Sequence, residues 1–147
     1  MTWVLTLVST ICGIYLGSWL EKHYRERETQ KRLFKALFEE VKLNYSMAKK
    51  MRETYRGPEW TVFELSPLYT LAYQNIITSG ELTRLPRDFL SVLEDVYEKV
   101  HTHNRQTEKA VDEFMIRDRG LKERLARIEE SMKQLAEQLP KELDFLR

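Results

Sequence analysis

The chain has very little cysteine, glycine and proline, and each shortage removes a class of fold or site. Its one cysteine, Cys12, lies in an uncharged stretch, so neither a disulfide framework nor a thiolate metal site forms within one chain. Five glycines and four prolines in 147 residues leave little room for loops. We therefore expect long, regular elements joined by short connections.

The chain also lacks an excess of charge of one sign and the motifs of catalysis. Acidic and basic residues are interleaved with a net charge of +1, which predicts no nucleic-acid partner. No serine, cysteine or lysine has an identifiable activating partner, and neither a glycine-rich phosphate loop nor strand alternation is visible. The sequence therefore predicts a protein that is not an enzyme and that holds no cofactor.

What the chain does have is an N-terminal stretch without a charge, from Thr2 to Leu20. A membrane-spanning helix needs about 20 apolar residues. Trp3 and Trp19 stand near the two ends, where their rings prefer the membrane interface. We expect residues 1–20 to be a transmembrane anchor in contact with membrane lipid, followed by a charged stalk over residues 21–32. A cleaved signal peptide is the alternative, but nothing basic precedes Trp3, as such a peptide requires.

Basic residues crowd the C-terminal flank of this stretch and set its orientation. They are Lys22, Arg25, Arg27, Lys31 and Arg32. Cytoplasmic flanks of membrane helices carry the excess of lysine and arginine. We therefore expect a single-pass protein of the cell membrane, with its N-terminus outside and its body in the cytoplasm.

Small residues recur at every fourth position of the stretch, at Ser9, Gly13 and Gly17, which places them on one helix face. This spacing lets two membrane helices pack backbone to backbone. The alternative is that these residues only reflect the ordinary composition of membrane helices. Because the bulky residues of the stretch lie mostly off this face, we favour packing and predict a homo-oligomer, a dimer or higher.

The region after the anchor is helical in pattern. Glu21 to Arg56 contains no breaker, so we expect one long helix continuous with the anchor. Its apolar side follows a heptad with core positions at Phe34, Leu37, Val41, Asn44, Ala48, Met51 and Tyr55. The fold class is therefore all-α, an N-terminal transmembrane helix followed by a cytoplasmic antiparallel helical bundle of three to four helices. The bundle is placed at residues 33–116.

Two further helices are predicted inside the bundle. Ser66-Pro67 has the pattern of a helix start, and Gly80 that of a helix end. Because the residues between them are apolar nearly all round, we expect that helix to be the buried centre. Pro86 opens the next helix, whose apolar residues recur in steps of three and four.

Residues 117–147 are assigned to a C-terminal amphipathic helix. Its apolar series is out of phase with the preceding helix across Arg117 to Gly120, which indicates a turn or sharp bend there. The rival is one continuous helix that pairs with another subunit. Pro140 is expected to end the last helix.

Three polar residues, Asn44, His103 and Thr107, interrupt the predicted core stripes. Asn44 and His103 are expected at a similar level of the bundle, so they form a polar layer together with Thr107. We favour a hydrogen-bonded layer that fixes the helix register, as a single buried asparagine does in a coiled coil. A layer that contacts a ligand or responds to protonation is the alternative.

Two other groups of residues are candidates, one for a partner-binding patch and one for a metal site. Trp60 and Phe63 belong to a connection that is too apolar for a free loop, so they either cap the core or form a patch for a protein partner. Glu98-x-x-His101 has the spacing of half a di-iron site. No second copy of that motif follows, and His103 rather than His101 lies on the core stripe, so no metal is predicted.

Three features of the chain resemble a known class. A leading span, the run Glu39 to Asn44 and the pattern Tyr73-x-x-Ile76-x-x-Ser79-Gly80-x-Leu82-x-x-Leu85 are similar to a loose class of small prokaryotic membrane-anchored proteins. The resemblance covers roughly Thr2 to Asn104. It implies a membrane-tethered helical domain and carries over no activity or catalytic residue.

These observations predict a membrane-anchored helical scaffold or adaptor that acts by self-association and partner binding. The alternative is a membrane effector or sensor, in which the bundle binds a ligand and signals to the membrane or permeabilises it. A weaker third hypothesis is a membrane-bound enzyme with a cleft near Trp60. A concave pocket lined by convergent polar groups would favour the sensor.

Overall fold

The computed structural model describes the backbone of residues 2–55, 65–112 and 120–143, and the side chains of the same residues except 2–9, 11, 84, 112 and 142–143. Over these ranges the chain is all-helical, with four α-helices and no strand, which confirms the predicted all-α class. Over the residues that the structure describes, no helix is both long enough and apolar enough to cross a bilayer.

Helix α1 spans Thr2–Thr54 without interruption. This confirms the predicted continuity. The helix is unbroken because it contains no proline and no adjacent pair of glycines. Its C-terminal half buries the predicted heptad, namely Phe34, Leu37, Val41, Asn44, Ala48 and Met51, while Tyr55 is half-buried. Gln30 is the first described residue of the helix to be buried.

Helix α2 spans only Leu71–Ser79. The predicted start at Ser66-Pro67 is wrong, because residues 65–70 are not helical and Thr70 takes the N-cap position. The predicted central position is also wrong: α2 lies at the surface and leaves Leu71 and Ile77 exposed. One face of this helix, formed by Ala72, Tyr73 and Ile76, reaches the core.

A sharp corner follows α2. Gly80 caps α2 with a left-handed backbone at φ +74°, as its position predicted, and its N–H donates to the carbonyl of Ile77. A 3-10 turn at Glu81–Arg84 then leads to helix α3 at Arg87–Asp112. Pro86 directly precedes α3 and accepts a hydrogen bond from the N–H of Leu90, so the predicted start is confirmed.

Helix α4 spans Leu121–Leu143. Its predicted apolar stripe is buried throughout, at Leu121, Leu125, Ile128, Met132, Leu135 and Leu139. Pro140 does not end the helix as predicted, because it falls in the last turns, where a missing N–H interrupts one hydrogen bond and the helix still continues to Leu143. Helices α3 and α4 are separate elements, but most of the predicted bend lies outside the described residues.

Contacts between the helices give their relative directions. Gln30 binds Glu81, Glu40 binds the start of α2, and Asn44 binds Tyr69, so α2 runs antiparallel to α1. The chain then turns at Gly80 and α3 runs back alongside α1. Helix α4 packs along α1 and α3, with an ion pair from Arg52 to Glu129 and a hydrogen bond from Lys99 to Ser131.

Candidate functional site

The most unusual feature of the body is an extended stretch, Leu65–Thr70, held between α1 and α3 and called here the clamped segment. Asn44 of α1 binds the backbone of Tyr69 at both ends: its Nδ2 donates to the carbonyl at 2.8 Å and its Oδ1 accepts from the N–H at 2.8 Å. Asn104 of α3 binds Leu68 in the same way, at 2.8 and 2.7 Å. Two side-chain amides thus replace the backbone bonds that a helix would provide.

A buried carboxylate of α1, that of Glu40, lies against the start of α2, directly after the clamped segment. Glu40 accepts hydrogen bonds from the N–H of Ala72 at 2.6 Å, the N–H of Tyr73 at 3.2 Å and the hydroxyl of Tyr97 at 2.7 Å. A negative charge is favoured at this position, because the first N–H groups of a helix have no partner within it. Glu40 therefore caps α2 from α1, in place of the serine that the sequence predicted.

Two tyrosine rings stack beside this carboxylate. The rings of Tyr73 and Tyr97 are nearly parallel, with centroids 3.9 Å apart. Burial raises the pKa of Tyr97 well above its usual value, and the bond to Glu40 adds to the effect. Burial also raises the pKa of Tyr73, with a further contribution from the charge of Glu94. Both hydroxyls are therefore held neutral.

The predicted polar layer is buried, and its members contact the clamped segment or each other. Asn44 and His103 are fully buried and Thr107 nearly so. The Nε2 atom of His103 lies 3.2 Å from the carbonyl oxygen of Ser66, and the hydroxyl of Thr107 lies 3.4 Å from the same nitrogen. The structure thus brings His103 and Thr107 together. Asn44 binds Tyr69 instead, at another part of the clamped segment.

A groove of about 600 Å³ lies beside the clamped segment. It is lined by Pro67, His101, Asn104, Arg105, Thr107, Glu108 and Val111. The amide of Asn104 is already engaged by the backbone of Leu68, on both its nitrogen and its oxygen. Within the described residues no group of three or more metal-ligating side chains occurs, and Glu98 and His101 are both exposed.

The N-terminal half of α1 forms a second feature, called here the projecting half, residues 2–29. Every described side chain from Thr10 to Thr29 is exposed, so no other described element covers this part of the helix. Its large apolar residues point to several sides and include Ile14, Tyr15, Leu16, Trp19, Leu20 and Tyr24. Ile14 and Tyr15 are 67% and 78% exposed, so this half of the helix presents uncovered apolar surface.

The predicted packing residues lie on this projecting half. A Cβ atom added at Gly13 or Gly17 would meet nothing within 4 Å, so the glycine face is open. The side chain of Ser9 lies outside the described ones. Trp60 and Phe63, the predicted partner patch, also lie outside the described residues.

Sequence reasoning missed three residues of the site: Asn104, which binds the clamped segment, and Glu40 and Tyr97 at the start of α2. Glu39 is exposed and Glu40 is buried, although the two carboxylates are adjacent in the sequence. One signal was available, because Glu40 is three residues after Leu37 and four before Asn44, on the edge of the core stripe. Asn104 gave no signal, since it stands beside the stripe rather than on it.

No protein-family model, curated protein or solved structure matches the chain.

Proposed function

We propose that the protein is a membrane-anchored helical scaffold or adaptor that acts by self-association and partner binding. The observation that carries the proposal is the projecting half of α1, where Ile14, Leu16 and Trp19 are exposed and no other described element covers the helix. Exposed apolar surface of this extent is costly in water. A bilayer around residues 1–20 removes that cost, and the stretch Thr2 to Leu20 has no charge to oppose it.

The proposed arrangement places the N-terminus outside and the bundle in the cytoplasm. The basic residues Lys22, Arg25 and Arg27 are exposed and follow the apolar stretch directly. At this position they lie at the level of the lipid head groups, where each basic side chain gains about 1 kcal/mol from anionic lipid. Membrane lipid is thus the first partner of the protein.

Self-association is assigned to the glycine face of the projecting half. Apolar burial does not drive helices together in lipid, because lipid tails are as apolar as leucine, so close packing has to do it. Gly13 and Gly17 lie four residues apart with open space above both. Partner binding is assigned to the apolar side chains that the bundle leaves exposed, notably Tyr69 and Leu71.

The topology is tested with intact spheroplasts. Protease added outside should leave the bundle intact, and the mature protein should keep Met1 or Thr2 in an intact-mass measurement. The chain should also stay with the membrane fraction in carbonate. Digestion of the bundle from outside would reverse the orientation, and recovery in the soluble fraction would overturn the anchor.

The glycine face is tested by substitution in mild detergent. Gly13→Ile and Gly17→Ile should each lower the dimer fraction severalfold in sedimentation, because a branched side chain holds the two backbones apart. Leu16→Ile is the matched control and should leave the dimer unchanged. A wild-type chain that stays monomeric over a wide range of protein-to-detergent ratios contradicts the assignment.

The sensor remains a second candidate, because a groove of about 600 Å³ adjoins the buried pair His103 and Thr107. Under the scaffold hypothesis, His103→Leu keeps the fold and the self-association. A His103→Leu chain that folds and self-associates normally but has lost its cellular activity would favour the sensor.

A further inference from the structure

The outer surface of α1 carries a row of lysines. Lys35, Lys42 and Lys49 are all exposed and stand seven residues apart, a spacing that keeps them on one side of a helix. Lys42 has two weak partners on its own helix: Glu39 at 3.9 Å, and the ring of Phe38, whose centroid lies 5.1 Å from the lysine nitrogen. This lysine row, defined by these three residues, faces away from the core of its own chain.

The outer surface of α4 carries a matching row of glutamates. Glu123, Glu130 and Glu137 are exposed and also stand seven residues apart, opposite the buried stripe of the same helix. Glu130 accepts a hydrogen bond from Gln134 within α4. Among the described ion pairs of one chain, none joins the lysine row to this glutamate row.

Helix α4 runs antiparallel to α3, and so to α1, because Lys99 binds Ser131 and only eight residues connect Asp112 to Leu121. The ion pair between Arg52 and Glu129, at 2.6 Å, shows which parts of α1 and α4 are level. Lys49 is three residues before Arg52, and Glu130 is one residue after Glu129, so the two differ in height by two residues. The same count for Lys42 and Glu137 again gives two residues. Two residues of helix correspond to about 3 Å, which the length of a lysine side chain bridges.

The residues that flank the two rows keep the same complementarity. Glu53 of α1 is within one residue of the height of Arg127 of α4, and Glu39 is within one residue of Lys141. All four of these side chains are exposed. Together with Lys49–Glu130 and Lys42–Glu137, these residues give four pairs of opposite charge at similar heights on the two helices.

We infer that neighbouring copies of this chain associate side by side, with the lysine row of one copy on the glutamate row of the next. The inference rests on the proposed membrane anchor, because copies held in one membrane stand at the same height and in the same direction. The α1 helix of one copy then meets the α4 helix of its neighbour antiparallel and in register. The two rows lie on different helices of one body, so the contact is head-to-tail and each copy keeps one row free for a further copy.

Such a contact depends on the membrane. Exposed ion pairs are individually weak and are screened by salt. Anchoring in one membrane raises the effective concentration of the partner into a range where weak contacts act together. The proposed scaffold thereby gains a reversible, salt-sensitive second contact in addition to the one between the membrane helices.

The test uses the full-length chain, labelled with donor and acceptor dyes, in vesicles of neutral phospholipid. Two variants reverse one row each: Lys42→Glu with Lys49→Glu, and Glu130→Lys with Glu137→Lys. All chains carry Gly13→Ile and Gly17→Ile, so that the membrane helices contribute no contact. Arg105→Glu with Lys109→Glu, at exposed positions of α3, is the control with an equal change of charge.

Energy transfer between copies should fall at least twofold for either row variant alone, because like charges then face each other. An equimolar mixture of the two variants should restore it, since each chain then offers the charge that the other needs. The control should match the parent, and 0.5 M NaCl should lower the transfer of the parent. Equal transfer in all samples, or a mixture no better than its components, overturns the row.

Flotation of the same vesicles separates this inference from the proposed function. A chain that does not float with the vesicles overturns the anchor and the row together. A chain that floats and shows no charge-dependent transfer overturns the row alone.

Discussion

At the scale of single residues, the body depends on side chains that bind backbone across helices. Asn44 and Asn104 approach the clamped segment from opposite helices and each bind one residue at both its N–H and its carbonyl. A backbone group left unsatisfied in the interior costs about 1–3 kcal/mol. The clamp therefore fixes where α2 begins, a task that a helix-start motif performs in other chains.

Replacing Asn44 by alanine should lower the free energy of unfolding by about 1–3 kcal/mol, because the N–H and the carbonyl of Tyr69 both lose their hydrogen-bond partner. Asn44→Asp should retain the bond to the N–H and repel the carbonyl, so it should also destabilise. Urea unfolding followed by circular dichroism measures both. Asn75→Ala, at an exposed position of α2, is the control and should stay within about 0.5 kcal/mol of wild type. An Asn44→Ala chain as stable as this control would show that the clamp contributes nothing.

The tyrosine beside Glu40 gives the body a pH dependence on the alkaline side. Tyr97 titrates near 10 when unfolded, and its pKa is raised in the folded chain by burial and by the bond to Glu40. The stability that this group contributes is complete below pH 10 and is lost as the pH rises above that value. The pKa of Tyr73 is raised as well, so it acts in the same direction.

Tyr97→Phe should therefore unfold more easily at pH 7, by about 1–2 kcal/mol for the lost hydrogen bond, but lose less stability than wild type between pH 9.5 and 11. Urea unfolding at several pH values measures both slopes. Tyr24→Phe, on the exposed projecting half, should leave the slope of wild type unchanged. Identical slopes for Tyr97→Phe and wild type would contradict the assignment.

At the scale of elements, the sequence predicted the long helices and failed at the short one. The stripes of α1, α3 and α4 extend over several turns, so their buried positions follow from periodicity alone. The start of α2 does not, because Asn44, Asn104 and Glu40 provide its partners from distant parts of the chain. Local rules assigned a cap to Ser66, whose own carbonyl instead lies next to His103.

The corner after α2 depends on one glycine. Gly80 has φ +74°, where a Cβ atom strains the backbone although there is open space around it. Gly80→Ala should destabilise the body by about 1–2 kcal/mol, and Gly80→Asn by less, because asparagine tolerates this conformation better. Thermal unfolding measures the order Gly, Asn, Ala. An alanine variant equal to wild type would show that the corner adopts another conformation without cost.

At the scale of the whole molecule, the apolar periodicity of the sequence predicts the fold class but not how the helices are arranged. It predicted helices that pack around shared apolar stripes, and the described residues form such a bundle. It did not predict that α2 lies at the surface, because an apolar sequence alone does not show that its neighbours leave one side uncovered. The candidate site was predicted only where its residues interrupt a stripe, as Asn44, His103 and Thr107 do.

The unbroken course of α1 has a mechanical consequence. A single helix joins the projecting half to the packed half, with no proline or loop between them to absorb movement. From Leu20 to Thr54 it measures about 50 Å, so a change in tilt of about 10° at its base displaces the far end by about 9 Å. Tilt in a bilayer varies with the thickness of the hydrocarbon layer. If α1 is anchored as proposed, the bundle lies at the far end of a rigid helix, and a thinner or thicker membrane would displace it sideways over the surface.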